Sequence, residues 1–283
     1  MTQKTLDKPP NLALLYPKAL LRRAGGGPLP SSQLVLPDVT VDRKKLADYS
    51  RVCGFGLGAH LPGTYPHVLA FGVAIALMSE PDFPFPLPGM VHIASTINQL
   101  RPIAPTESLT FLVHAEDLRP HRRGTQFDLV TETRAGDETV WSGRSTYLRR
   151  GTPAGDGGNS PRPDDTAGDE LPEPTAIWRV PASIGRAYAA ASGDRNPIHL
   201  HPLTAKLFGF PRAIAHGMWV KARALAALEA RLPAAYTIDV RFGKPVPLPT
   251  TVEFGARCRD GGWDLLVSSP GKPHLTGRVA PLR

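Results

Sequence analysis

Between Ser192 and His199 the chain reads Ser-Gly-Asp-Arg-Asn-Pro-Ile-His, which sets the carboxylate of Asp194 five positions ahead of the imidazole of His199. Carboxylate and imidazole are side chains that take a proton from water and return one near neutral pH. Pro197 bends the segment between them, so the intervening residues can form a turn that aims both side chains at one water molecule. Asn196 and Ser192 have side chains of the type that hydrogen-bond local backbone in turns, which gives them the work of holding that turn and orienting the pair. Farther on, Ala215-His216-Gly217-Met218 leads into a helical pattern that starts near Gly217. A helix start offers backbone N–H groups and the positive end of a dipole, and a glycine there lets a carbonyl oxygen approach. The backbone N–H of Gly217 is thus the candidate donor to an oxygen that gathers negative charge.

Each of these residues also has a plainer reading. An isolated Asp-x-Asn-Pro is most often a turn former, His216 reads as a hydrogen-bond former at a helix start, and Gly217 as a packing glycine. His199, His201 and His216 have a spacing that suits zinc, but no cysteine or carboxylate completes a set, so no metal is assigned. Gly54-Phe55-Gly56-Leu57-Gly58 lacks the spacing of a dinucleotide fingerprint and precedes no βαβ unit. No Gly-x-Ser-x-Gly elbow occurs, which argues against a serine hydrolase. His60, His67, His92 and His114 read as structural or surface residues.

The elements that must position the pair emerge from an internal repeat. Residues 151–175, rich in Gly, Pro and Asp and nearly free of large apolar side chains, read as a flexible linker between residues 1–150 and 176–283. The flanking halves match in order. Tyr49-x-x-x-Cys53-Gly54 aligns with Tyr188-x-x-x-Ser192-Gly193, and Tyr65-Pro66-x-x-Leu69-Ala70-Phe71-Gly72 with Phe210-Pro211-x-x-Ile214-Ala215-His216-Gly217. Alternating runs follow at 109–115 and 252–258, then strand-like stretches near 126–133, 139–148, 263–268 and 275–280. Met218, Ala222, Leu225, Leu228 and Leu232 recur at helical spacing, with Ala226 and Ala227 keeping the rod thin. The pattern predicts an α+β fold in which each half wraps a long central helix in a curved antiparallel sheet, a double hotdog. The two sheets are expected to join edge to edge, because joining covers exposed edge strands.

Bulk properties narrow the class. The chain has 283 residues, 41% hydrophobic and 20% charged, and no run approaches the roughly 20 apolar residues of a membrane span. No signal peptide is read in the N-terminal run, and two widely separated cysteines, Cys53 and Cys258, fit a reducing cytoplasm. The net charge of +8 conceals an acidic linker, so the flanking halves are distinctly basic and suited to an anionic partner. The bases are scattered and no RNA-binding motif is visible, which disfavours nucleic acid.

The run from Ser192 to His199 resembles the signature of the MaoC-like dehydratases, also called the hydratase-2 family, whose core is Gly-Asp-x-Asn-Pro-x-His. Tyr188 on the preceding helix and the His216-Gly217-Met218 element extend the likeness, while His201 stands where family members often have an acid. The resemblance implies reversible hydration of a trans-2-enoyl thioester of coenzyme A or acyl carrier protein to the (R)-3-hydroxyacyl thioester, as in fatty acid metabolism. Asp194 and His199 are then the acid/base dyad, with no cofactor. A hotdog thioesterase and a non-catalytic acyl-thioester-binding protein are the alternatives, and a homodimer is compatible with the fold. In the first half, Asp194 and His199 fall on Phe55 and His60 and the Asn-Pro pair has no counterpart, so that copy is expected to be non-catalytic. It keeps Gly72 opposite Gly217, and Phe55, Leu57 and Phe71 are its candidate lining for an acyl tail.

Overall fold

A computed structural model of the chain describes residues 2–12, 14–15, 26–151 and 171–282. Most of the inferred linker, residues 152–170, lies outside the described residues. Its last residues are not linker: a strand already begins at Pro174.

The first half contains β1 (Thr2–Thr5), β2 (Ser32–Val39), α1 (Arg43–Cys53), α2 (Tyr65–Met78), β3 (Met90–Gln99), β4 (Leu109–His121), β5 (Gly124–Ala135) and β6 (Glu138–Arg150). The second contains β7 (Pro174–Val180), α3 (Ile184–Ser192), the short helices α4 (Pro197–Leu200) and α5 (Pro202–Leu207), α6 (Gly217–Ala226), β8 (Tyr236–Phe242), β9 (Thr250–Arg259), β10 (Gly262–Ser269) and β11 (Lys272–Pro281). All the strands belong to one sheet in the order β1-β2-β4-β5-β6-β3-β8-β11-β10-β9-β7. Setting β1 aside, the order β2-β4-β5-β6-β3 in one half repeats as β7-β9-β10-β11-β8 in the other. Each set curves over its own helix, α2 or α6, which makes the fold a double hotdog.

Five strands escaped the sequence pattern: β1, β2 and β7, which precede the helices, and β3 and β8, which form the join. In the join, β3 and β8 run antiparallel, with Ile97 opposite Ile238 and Ser95 opposite Val240. The helices differ from expectation too. α2 carries no charged side chain and is apolar around its circumference, as a wrapped helix must be. It starts at Tyr65, so Gly72 lies in its interior against Pro10 and is not a counterpart of the helix-opening Gly217. α6 stops at Ala226; Leu228 is still buried but beyond the helix, and a single 3₁₀ turn, Glu229–Arg231, takes over before Leu232.

The tyrosines that mark the repeat meet in space, their rings 6.0 Å apart where α1 packs on α3. One residue ties the join to the second helix. Lys221 of α6 is fully buried and its ammonium donates to the Ser95 carbonyl at 2.9 Å, the Ser95 hydroxyl at 3.0 Å and the Ile238 carbonyl at 3.3 Å. These three acceptors match the three donors of an ammonium and come from both strands of the join. No helix among the described residues is long and apolar enough to cross a membrane.

Removing the Lys221 side chain strands buried acceptors, at a cost of about 1–3 kcal/mol each. Lys221→Ala is therefore expected to lower the midpoint of thermal unfolding by at least about 4 °C. An unchanged midpoint in calorimetry would show that this clamp contributes nothing to the join.

Candidate active site

The dyad is built by a helix end, a turn and a short helix. α3 ends in left-handed Gly193 (φ 80°), whose N–H reaches back to the Ala189 carbonyl. The chain then turns through Asp194, whose N–H donates to the Ser192 hydroxyl at 3.2 Å while that hydroxyl donates to the Tyr188 carbonyl at 2.8 Å. Asp194 Oδ1 accepts the Asn196 N–H at 3.1 Å, and Asn196 Oδ1 accepts the Ile198 N–H at 3.4 Å to cap α4. Ser192 and Asn196 thus hold the turn through hydrogen bonds, with Pro197 at the first helical position where its missing N–H costs nothing. His199 lies on α4 and is buried. α3 can approach it because Gly185 has no side chain: a Cβ there would overlap the His199 carbonyl.

Asp194, His199 and His216 each place a ligating atom within 4.8 Å of the others. His199 Nδ1 lies 2.7 Å from the Ile214 carbonyl, which only an Nδ1–H can satisfy, so Nε2 keeps a lone pair in the neutral ring. Burial pushes the His199 pKa below the ordinary histidine value, against the opposing pull of the Asp194 carboxylate and the Ile214 carbonyl. His216 stacks on His199 with ring centroids 3.6 Å apart and its Nε2–H donates to the Asp194 carbonyl at 3.0 Å. It caps no helix N–H with its side chain; its bond fixes the Asp194 turn instead. Asp194 is the carboxylate that the zinc-like histidine spacing lacked in the sequence, and it joins His199 and His216 rather than His201. His201, the third histidine of the zinc-like spacing, accepts the Leu203 N–H at the start of α5.

Gly217 is the first residue of α6, so the opening N–H groups of that helix have no intrahelical partner. A Cβ on Gly217 would sit 3.1 Å from the Phe242 ring. Asp194, His199 and Gly217 all line one cavity of about 400 Å³, together with Ser192, Asn196 and His216. The far wall comes from the first half: Val68, Phe71, Met90 and, unexpectedly, His67, His92 and Tyr147. Of the acyl-lining candidates, Phe71 is on this wall. Phe55 is instead a core residue stacked on Tyr49, and Leu57 is 85% exposed on a loop, so neither lines the cavity. Their places were inferred from the repeat alignment, and the loops after α1 and α3 diverge. His67, His92 and Tyr147 lie on α2, β3 and β6, and no local spacing links them.

A MaoC-like domain model matches residues 160–263. The chain is 41% identical over 275 residues to 3-hydroxyacyl-thioester dehydratase X of Mycobacterium tuberculosis, covering 94% of this chain and 98% of the relative. A crystal structure of HtdX from the same organism superposes with a TM-score of 0.78 at 39% identity, over 88% of this chain and 100% of that one. A MaoC-like dehydratase from Phytophthora capsici shares the fold, with a TM-score of 0.67 at 20% identity, over 90% of this chain and 96% of that one. The chain belongs to the MaoC-like dehydratase family.

Burial holds His67 down to about 4 and His92 and His216 down to about 3, against an ordinary value of 6.5. Above pH 6.5 these imidazoles are neutral folded or unfolded. As pH falls from 6.5 toward 3 the unfolded chain binds protons that the native state refuses, so stability falls with falling pH. Denaturant titrations between pH 7 and 5 are expected to show this loss with a slope that steepens as pH falls, His199 adding to it in the same direction, and His216→Phe is expected to shallow it. A flat profile would mean that the imidazoles take up protons without unfolding.

Proposed function

We propose that the chain catalyses the reversible hydration of a trans-2-enoyl thioester to a 3-hydroxyacyl thioester, as an (R)-specific hydro-lyase of fatty acid metabolism. The observation that carries the reading is the convergence of Asp194, His199 and the first amides of α6 on one largely apolar cavity. Water has two hydrogens, and a ligating atom of Asp194 lies within 4.8 Å of one of His199, a gap that a single water could bridge. In hydration the pair removes a proton as the water oxygen bonds to C3, the C2–C3 π electrons move toward the thioester carbonyl, and the pair delivers a proton to C2. The negative charge that builds on the carbonyl oxygen is met by the Gly217 N–H and the positive end of the α6 dipole. Dehydration runs the same steps backward.

Within this reading the second half carries the chemistry and the first half supplies the opposite wall, with Phe71 among the residues that would meet the acyl chain. Ser192 and Asn196 position the dyad. Arg149, Arg150 and Lys244 on the cavity lining offer positive charge to the phosphates of coenzyme A or of a carrier protein's phosphopantetheine arm. Two free cysteines, Cys53 and Cys258, support a reducing cytoplasm as the setting.

Asp194→Asn and His199→Ala should each lower the rate constant for hydration of enoyl-coenzyme A about 10²–10⁴-fold with the fold intact. The assay follows loss of enoyl conjugation together with free thiol: conjugation lost without thiol release is hydration, whereas thiol release is thioesterase action and would overturn the reading. Because burial lowers the His199 pKa, kcat/KM should hold as pH drops through 6.5 and fall only below it, where protonation removes the Nε2 lone pair. A midpoint above 6.5 would contradict the assigned state of that imidazole.

A further inference from the structure

The wall facing the dyad is too polar for an enclosure meant only for hydrocarbon. His67 from α2, His92 from β3 and Tyr147 from β6 meet there, with His92 stacked on Tyr147 at 4.7 Å and 16° and the His67 ring 6.4 Å from that of His92. The register of β3 against β6 slips between His92 and Ala94, a bulge that re-aims the His92 side chain. The imidazole bonds to the Ala94 backbone through one nitrogen, while its Nε2 is buried with no partner. Neither His67 nor Tyr147 makes a hydrogen bond to a described residue. A buried polar atom without a partner is costly, and His92 Nε2 in that condition, beside a phenol and a second imidazole on the same wall, points to a ligand group that pairs with them.

We propose, resting on the hydratase reading, that His67, His92 and Tyr147 form a subsite for an uncharged oxygen function, a hydroxyl or keto group, carried on the acyl chain beyond the reacting carbons. Two features define the ligand. His67, Phe71 and Tyr147 also wall a second void of about 10 Å³ beneath α2, bounded by Ala70, Ala74, Leu129, Thr131 and Ser145. The main cavity therefore stops at these side chains, and a chain extending from Gly217 toward the first half ends against an imidazole and a phenol. The groups are neutral as well: burial holds both imidazoles in the uncharged form, with Lys221 adding to the effect. A neutral imidazole and a phenol can donate to a hydroxyl or carbonyl oxygen and accept from a hydroxyl, but supply no charge for a carboxylate.

The test compares trans-2-octenoyl-coenzyme A with the same thioester bearing a hydroxyl at successive positions toward the tail, and, by calorimetry, the corresponding saturated thioesters. For at least one hydroxylated isomer, kcat/KM and affinity are expected to exceed those of the unsubstituted chain about tenfold, the ratio that about 1.4 kcal/mol gives. Tyr147→Phe or His67→Leu should bring that ratio close to one. Because the ratio is taken within one variant, it is insensitive to how much of the variant folds. An unsubstituted chain that binds and reacts as well as every hydroxylated isomer, or a ratio unmoved in both variants, overturns the proposal. Tight, hydroxyl-selective binding of saturated thioesters with no hydration of any enoyl substrate would instead sink the hydratase reading and leave the subsite standing.

Discussion

The pairing of β3 with β8 is the constraint on which everything else depends. Each half has a five-stranded sheet that curves around one helix, and each sheet would otherwise leave the edge of its β3 or β8 strand unpaired. Joining those edges satisfies both rows of backbone groups and buries Ile97 against Ile238 at the centre of the seam. The geometry of the seam also decides what faces what. β3 brings His92, and through its other neighbour β6 brings Tyr147, to the side of the cavity opposite the catalytic turn. Lys221 fastens α6 to both seam strands one helical turn beyond Gly217, so the helix whose first amides enter the cavity is anchored to the seam itself.

Around the dyad, local backbone chemistry and burial act together. The Asp194 turn is closed by its own side chain, by Ser192 and by His216. His199 takes its tautomer from a carbonyl and its neutral state from burial. An imidazole kept neutral in this way retains a lone pair, and low-dielectric surroundings strengthen electrostatic interactions at the start of α6. Gly185 and Gly217 show the steric side of the same design, since each marks a place where a side chain would intrude on His199 or on the Phe242 ring.

The first half has lost the polar pair, yet it does not present a purely apolar wall. Its imidazoles and phenol are assembled from three elements, stacked on one another and capped by Phe242 from the second half. The half without the Asp-His pair has polar side chains lining the same cavity as Asp194 and His199, and polar groups inside a protein are stable only when something pairs with them.

The turn that carries Asp194 was legible in the sequence because its determinants are local: Ser192, Asp194, Asn196 and Pro197 act on backbone groups within a few positions of themselves. The repeat was legible for a similar reason, since Tyr49 with Gly54 and Tyr188 with Gly193 mark the same helix and the same left-handed cap. The joining strands were not. Met90–Gln99 mixes Ser95, Thr96, Asn98 and Gln99 with apolar residues, because hydrogen bonds to β6 and β8 on either side, rather than an alternating apolar face, keep it in place. The central helices misled in the opposite sense: one apolar period ran past Ala226 although the helix did not, and Gly72 fell inside a helix instead of at its start. By itself the sequence determined the fold class and the hydrogen-bonded turn that carries Asp194 and His199, which are set by spacing along the chain. Only the tertiary structure decided the opposite wall of the cavity, since Phe55, Leu57, His67, His92 and Tyr147 are sorted into core, surface and site by contacts between residues far apart in the chain.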